Sequence, residues 1–397
     1  MQFAQRLKAF QSNVFADMDQ AKAIARRSGQ DLIDLSLGSS DLPVAESVLA
    51  VIAESLADSS THGYLLFHGT REFRQAAATW YERRFGLKID PETEVLPLIG
   101  SQEGTAHLPL AILNPGDFAL LQDPGYPSHA GGVYLASGQI YPMPLLAENQ
   151  FLPVFGDIPE PVLAQARMMV LSYPHNPTTA LAPLSFFQEA VAFCRSHDLV
   201  LVHDFPYPDL VFDSSSAPSV LQADPHKDIS IEFFSLSKSY NMGGFRIGYA
   251  IGNAELIRAL RQVKAAVDFH QYRGILNGAI TALSGSQSGV TAVMETFRQR
   301  RDTFVGALHR IGWQVPMPHA TMYVWAKLPA PWTQRSVQFC TQLVTKTGVA
   351  ASPGAGFGKS GEGYVRFALV QDPPTLEVAV DRIATFLRAL ADELEQF

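Results

Sequence analysis

Residues Phe233-Phe234-Ser235-Leu236-Ser237-Lys238-Ser239-Tyr240-Asn241-Met242-Gly243-Gly244-Phe245-Arg246-Ile247-Gly248-Tyr249 set how the rest of the chain is read. An apolar, aromatic run ends in Ser-Leu-Ser, the pattern of a strand running out into a loop. Lys238 follows alone, then small residues and glycines, then Arg246 and a second strand-like run over 247–251. A lysine among apolar and hydroxyl neighbours suits Schiff-base chemistry, because desolvation favours the neutral, nucleophilic amine. Ser235, Ser237 and Arg246 offer hydrogen-bond and charge partners for a phosphate. The plainer reading, a solvated loop lysine, holds for most lysines but does not account for this setting.

Upstream of this stretch, strand and helix patterns alternate from residue 45 to about 290, which implies an α/β fold with a mostly parallel sheet. A strand over 95–99 runs into Gly100-Ser101-Gln102-Glu103-Gly104 and an apolar helical run. Such a turn gathers free backbone N–H groups and the positive end of the helix dipole at Ser101 and Gln102, an arrangement suited to phosphate. Tyr126, in Asp123-Pro124-Gly125-Tyr126-Pro127 after the next strand, is placed to stack on a flat ligand. A strand over 168–172 ends in Tyr173-Pro174-His175-Asn176-Pro177-Thr178-Thr179, which sets the Asn176 amide at the sheet's carboxyl edge. The apolar run 199–202 delivers Asp204 and Tyr207, and a carboxylate there needs a cationic partner. Gly38, after the alternation 32–37, lets backbone approach a ligand closely. Tyr64 lies in a loop from which its hydroxyl can reach a phosphate, and Thr70 reads as the N-cap of a helix over 71–84. Late in the chain, Arg366 stands among apolar residues of a strand, as a carboxylate clamp or a structural ion pair.

At 397 residues the chain is long enough for two domains. Residues 1–44 read as an N-terminal arm and part of a small domain, 45–290 as the large domain, and 291–397 as a smaller α+β unit built with the N-terminal segment. A final helix carries Leu376, Val380, Ile383, Leu387, Leu390 and Leu394 on one face. The formal net charge of −8 disfavours nucleic acid and anionic membrane as partners. Two cysteines, Cys194 and Cys340, without C-x-x-C spacing, point to a reducing and therefore cytoplasmic setting. No secretory apolar block and no membrane-spanning run is expected. The eleven histidines lack metal-ligand spacing, and the glycines of 353–358 lack the dinucleotide fingerprint.

Taken in order, the Gly-Ser-Gln helix start, Tyr126, Asn176, Asp204 with Tyr207, Lys238 with Arg246, and Arg366 resemble the fold-type I pyridoxal-phosphate enzymes, and among them the class I/II aminotransferases. The resemblance covers essentially the whole chain. It implies a large domain with a mostly parallel sheet between helices and a smaller α+β domain from both chain ends. It further implies transfer of an amino group between an amino acid and a 2-oxo acid by a ping-pong mechanism. Lys238 would be the Schiff-base lysine and proton-transfer base. Asp204 would pair with the pyridinium nitrogen. Asn176 and Tyr207 would hydrogen-bond the ring oxygen, and Tyr126 would stack on the ring. Ser101, Gln102, Ser235 and Arg246 would hold the phosphate. Tyr64 would reach the phosphate of a neighbouring subunit, which implies a homodimer. Arg366 would clamp the substrate carboxylate with help from Asn176 and the Gly38 backbone.

Several stretches look most like bacterial LL-diaminopimelate aminotransferases, among them Gly100 to Leu108, Ile231 to Lys238 and Gly361 to Arg366. Four positions depart from that group. Gln102 stands where it usually has lysine, and Asn13 matches a substrate-contacting tyrosine. Thr179 replaces the glycine of an Asn-Pro-Thr-Gly turn, and Ser39-Ser40-Asp41 replaces Gly-Asp-Pro. The cofactor residues are intact while the side-chain-recognition residues differ. The donor therefore stays open among LL-diaminopimelate, alanine, aspartate and glutamate, with Arg273 in the loop before a helix at Gly278 as a second carboxylate contact. A β-lyase with the same cofactor is the alternative reaction. A non-enzymatic cofactor-binding regulator is the more distant alternative, since no DNA-binding extension or basic patch is evident.

Overall fold

The computed structural model describes residues 1–10, 14–213 and 216–395, with side chains up to 389. Asn13, Leu390 and Leu394 thus lie outside the described side chains. Among the described residues twelve strands form three sheets: β1 (Ile33–Asp34), β2 (Val95–Leu98), β3 (Phe118–Asp123), β4 (Gln139–Pro144), β5 (Ala166–Leu171), β6 (Val200–Phe205), β7 (Ser230–Ser235), β8 (Gly248–Gly252), β9 (Tyr323–Lys327), β10 (Val349–Ala350), β11 (Ser352–Pro353) and β12 (Tyr364–Ala368).

The large sheet has seven strands in the order β2-β8-β7-β6-β5-β3-β4. The β4-β3-β5-β6-β7 ladders are parallel, and β8 is antiparallel to both β7 and β2. Every residue of β7 is buried, as are all but the first of β6, the signature of strands covered by helices on both faces. Alternation sends Met169, Leu171 and Leu201 into one apolar cluster and Met168, Val170 and Val202 into another on the opposite face. A third cluster packs Met18, Ala21 and Ile33 with residues of 293–386, around the sheets β1-β10 and β11-β12-β9.

This topology gathers the site. The parallel strands β2, β3, β5, β6 and β7 all end at one edge of the sheet, where α/β proteins place ligands. Because β8 runs the other way, its entry lies at that same edge: Ser235 pairs with Gly248, and Arg246 precedes Gly248 by two residues.

Three local expectations are corrected. The strand over 32–37 shortens to Ile33–Asp34, because the following backbone bonds two different strands: Leu35 N–H donates to Ala350, and Ala368 N–H donates to the Leu35 carbonyl. Thr70 does not cap its helix. Its hydroxyl donates to the Phe67 carbonyl at 2.7 Å, and its backbone is not in the extended conformation a capping residue takes. Arg273 opens the helix Arg273–Ser284 instead of lying in a loop before it, since the helix begins earlier than its apolar spacing suggested.

Candidate active site

A cavity of about 910 Å³ opens at this edge. Its lining includes Gly38, Ser101, Gln102, Tyr126, Asn176, Asp204, Tyr207, Ser235, Lys238, Arg246 and Arg366, so eleven of the twelve residues to which the resemblance gives a role meet in one place. The twelfth, Tyr64, is 90% exposed and stands outside it, its ring 6.1 Å from that of Phe269. Arg273 is not in the lining either. It lies against Gly69, where an added Cβ would come within 2.9 Å of its guanidinium.

Lys238 sits on the short helix Leu236–Ser239, whose N-cap Ser235 accepts from the Ser237 N–H. Its amine donates to the Gly38 carbonyl and lies 6.0 Å from the centre of the Tyr207 ring. The loop bearing Gly38 thus closes over Lys238, and Gly38 has to be glycine. An added Cβ would run into the Tyr323 hydroxyl.

Asp204, near the end of β6, is 4% exposed. Its Oδ2 bonds His129 Nε2 at 2.9 Å, and its Oδ1 is buried with no hydrogen-bond partner among the described residues. A buried carboxylate oxygen left open beside a cavity is costly unless a ligand donor meets it.

The helix Ser101–Ile112 starts at Gly100, which provides no side-chain cap, so its first N–H groups face the cavity. Arg246 lies across this end: a Cβ on Gly100 would come 2.5 Å from its Nη2. Arg246 itself holds a left-handed backbone (φ 53°), a conformation seldom adopted without glycine. Below the first turn, Lys264 donates to both oxygens of Glu103 at 2.8 Å and to Asp268 at 3.0 Å, a buried ion pair that ties this helix to the helix Ala254–Val267. The helix end, Arg246 and the Ser235 and Ser237 hydroxyls together make an anion cradle.

Arg366, on β12, gives Nη1 to the Asn176 amide oxygen at 2.8 Å and Nη2 to the Ser36 carbonyl at 2.7 Å. Its Nε is buried without a partner among the described residues. The guanidinium lies between the rings of Tyr323 (4.3 Å) and Phe357 (4.6 Å). A buried guanidinium with a donor to spare is suited to a carboxylate. Tyr126, 37% exposed, stands on the cavity wall with its ring 5.9 Å from that of His129. Thr179 occupies a left-handed conformation (φ 65°), strained for a β-branched residue and suited to the glycine of the related turn.

Two residues here were not anticipated. His129 orients Asp204, and Tyr323 bonds Tyr207, hydroxyl to hydroxyl, at 2.9 Å. His129 had one faint signal, its position three residues after Tyr126 at a helix start. Tyr323 had none.

The profile of the family Aminotransferase class I and II matches residues 30–383. The chain belongs to the class I and II aminotransferases. It is 43% identical over 386 residues to an LL-diaminopimelate aminotransferase of Dehalococcoides mccartyi, covering 97% of this chain and 99% of the relative. Among solved structures it is similar to a probable N-succinyldiaminopimelate aminotransferase of Thermus thermophilus, with a TM-score of 0.89 and 42% identity over 94% of this chain and 99% of the other. An aspartate aminotransferase single mutant of the same organism superposes with a TM-score of 0.90 at 26% identity, covering 97% of this chain and 99% of the other. The protein is thus an aminotransferase with the fold-type I architecture.

Proposed function

We propose that this aminotransferase works with pyridoxal 5'-phosphate held in the Lys238 cavity. The observation that carries the proposal is the unpartnered Oδ1 of Asp204, buried in the same cavity as Lys238 and the open helix end at Ser101. The cavity fits the group: an acceptor for a ring N–H, an amine for the aldehyde, and a cradle for the phosphate. When bound, the cofactor supplies an electron sink for the donor's Cα and a carrier for the amino group. Ser101, Gln102, Ser235 and Arg246 hold the phosphate. Tyr126 covers one ring face, and Tyr207 and Asn176 reach the ring oxygen. Asp204, oriented by His129, keeps a positive charge on the ring nitrogen. Arg366 with Asn176 and the Gly38 backbone seats the donor's carboxylate, which turns the Cα proton toward Lys238. Lys238 would take that proton as a base.

Relatives named for LL-diaminopimelate and N-succinyldiaminopimelate support an amino donor of that type. Gln102 keeps alanine, aspartate and glutamate as the other donors to test. A homodimer with Tyr64 reaching the neighbouring cofactor site is part of the proposal. Its support is the exposure of Tyr64 (90%) and Phe269 (48%), whose rings lie 6.1 Å apart. The division at about residues 45 and 290 is likewise proposed, supported by the separate sheets and cores. Two free, buried cysteines support a reducing, cytoplasmic setting. Among the described residues no helix is long and apolar enough to cross a membrane.

The test is a single-turnover titration of the cofactor-loaded protein with LL-diaminopimelate, alanine, aspartate and glutamate in turn, with no 2-oxo acid present. Stoichiometric loss of the visible band with one donor is the expected result. Catalytic release of 2-oxo acid and ammonia, without an acceptor, from a further donor that carries a leaving group on Cβ, such as S-methylcysteine, would replace amino transfer with elimination.

A further inference from the structure

Tyr323 stands where the carboxylate clamp, the reactive lysine and the ring-facing tyrosine meet. On the face of the β9-β12 ladder that it shares with Arg366, its ring lies under the guanidinium at 4.3 Å. Its hydroxyl is 2.9 Å from that of Tyr207, and the Gly38 backbone, whose carbonyl accepts from Lys238, packs directly on it. Tyr323 is 2% exposed and Tyr207 is 2% exposed, so water does not compete for the bond between them.

We propose that Tyr323 is a positioning residue that donates its hydroxyl proton to Tyr207, leaving the Tyr207 proton for the cofactor's ring oxygen, and that it relays occupancy of the Arg366 clamp to that bond. This rests on the pyridoxal-phosphate reading above. The charged and titratable groups facing the Tyr323 phenol are Arg366, Lys238, Tyr207 and Tyr126. Burial works against an ionised phenol at both tyrosines. At Tyr323 the Arg366 and Lys238 cations, with the hydrogen bond to Tyr207, outweigh it, and the group is more acidic than an ordinary tyrosine. At Tyr207 burial and the neighbouring Tyr323 push the group well above the ordinary value. A phenol carries one proton, so a Tyr207 hydroxyl that donates to the ring oxygen has to accept from Tyr323, and that requirement sets the direction of the bond. A carboxylate arriving on Arg366 cancels part of the charge that polarises Tyr323 and weakens its donation. Tyr207 then holds the ring oxygen less firmly, so seating the donor changes the proton affinity beside Lys238.

The test uses the cofactor-loaded protein and the pH midpoint of its visible band, with and without saturating pimelate as an unreactive dicarboxylate. The wild type should show a midpoint that pimelate shifts. In Tyr323→Phe the free midpoint should move by about half a unit or more, and the pimelate shift should fall to less than half, with kcat lowered several-fold and KM within about twofold. Tyr207→Phe and Tyr323→Phe act through one bond, so the double variant should move the midpoint no further than Tyr207→Phe alone. Additive shifts, or an unchanged midpoint in Tyr323→Phe with only a lower melting temperature, would overturn the relay and leave the cofactor reading standing. A wild type that forms no visible band with pyridoxal phosphate would remove that reading, and this inference with it.

Discussion

Two buried carboxylates lie on neighbouring strands of the large sheet, each facing a histidine, and they have opposite fates. His203 on β6 pairs in register with Glu232 on β7, and the next residue, Asp204, turns to the other face. Glu232 is saturated. One oxygen accepts from His203 Nδ1 at 2.7 Å and from the Val220 N–H at 2.7 Å, the other from the Ser219 hydroxyl at 2.6 Å and the Tyr81 hydroxyl at 3.1 Å. Among the described residues Asp204 has His129 on one oxygen and nothing on the other. With its hydrogen-bonding capacity filled, Glu232 ties together Tyr81, Ser219 and His203, and its role is to hold the fold. Asp204 is left incomplete where the cavity begins, and it is built to receive something the polypeptide does not supply. Burial and a histidine partner are common to both. The open oxygen separates them.

Substitution should split the pair cleanly. The largest effect is expected for Asp204→Asn, which should lower amino transfer by on the order of 10²–10³-fold, the range for removing one preorganised electrostatic partner, with little change in Tm. A variant that is instead unfolded with nearly normal specific activity would make Asp204 a second Glu232. Glu232→Gln should do the reverse: it turns donors against an amide and should cost about 1–3 kcal/mol in denaturant unfolding, while the folded fraction keeps its turnover. His129→Leu lies between them. Asp204 loses a charge-assisted hydrogen bond, and turnover should fall about tenfold with the cofactor still bound. An effect equal to that of Asp204→Asn would mean that the histidine, not the open oxygen, is the working part.

Asp34 supplies the small end of the scale, a half-buried carboxylate bonded to Lys22 and Ser36 of the cavity wall, partners that water can replace. Burial alone would raise its pKa, but hydrogen bonds from the Ser36 hydroxyl and N–H and the charge of Lys22 outweigh it, and the group falls below its ordinary value of 3.8. A depressed carboxyl pKa stabilises the fold above the ordinary value and loses that stabilisation as pH falls through the shifted one. Asp34→Asn should therefore cost under about 1 kcal/mol at neutral pH, and the gap from wild type should close below about pH 4. A gap that persists in acid would assign the loss to packing.

The sequence made legible those site residues that end strands. Asp204, Asn176, Tyr126 and Lys238 each follow an apolar run, and a parallel sheet brings such ends to one edge. Ser101 and Gln102 were visible because glycine before an apolar helix is a local pattern. Tyr323 and His129 were not, because what matters about them is tertiary. Tyr323 acts through the diagonal of an antiparallel ladder with Arg366, and His129 meets Asp204 across 75 residues of chain. Thr70 shows the same limit in miniature. A good capping residue type spends its hydroxyl on the preceding turn, a choice set by how residues 67–70 fold back. Tyr64, read as reaching a neighbour, stands outside its own chain's cavity.

Borohydride reduction of the pyridoxal-phosphate-loaded protein, followed by peptide mass mapping, tests the central claim most directly. The account predicts a single phosphopyridoxyl increment, on the peptide that carries Lys238. An increment at Lys22, Lys264 or any other lysine, with Lys238 unmodified, would contradict it.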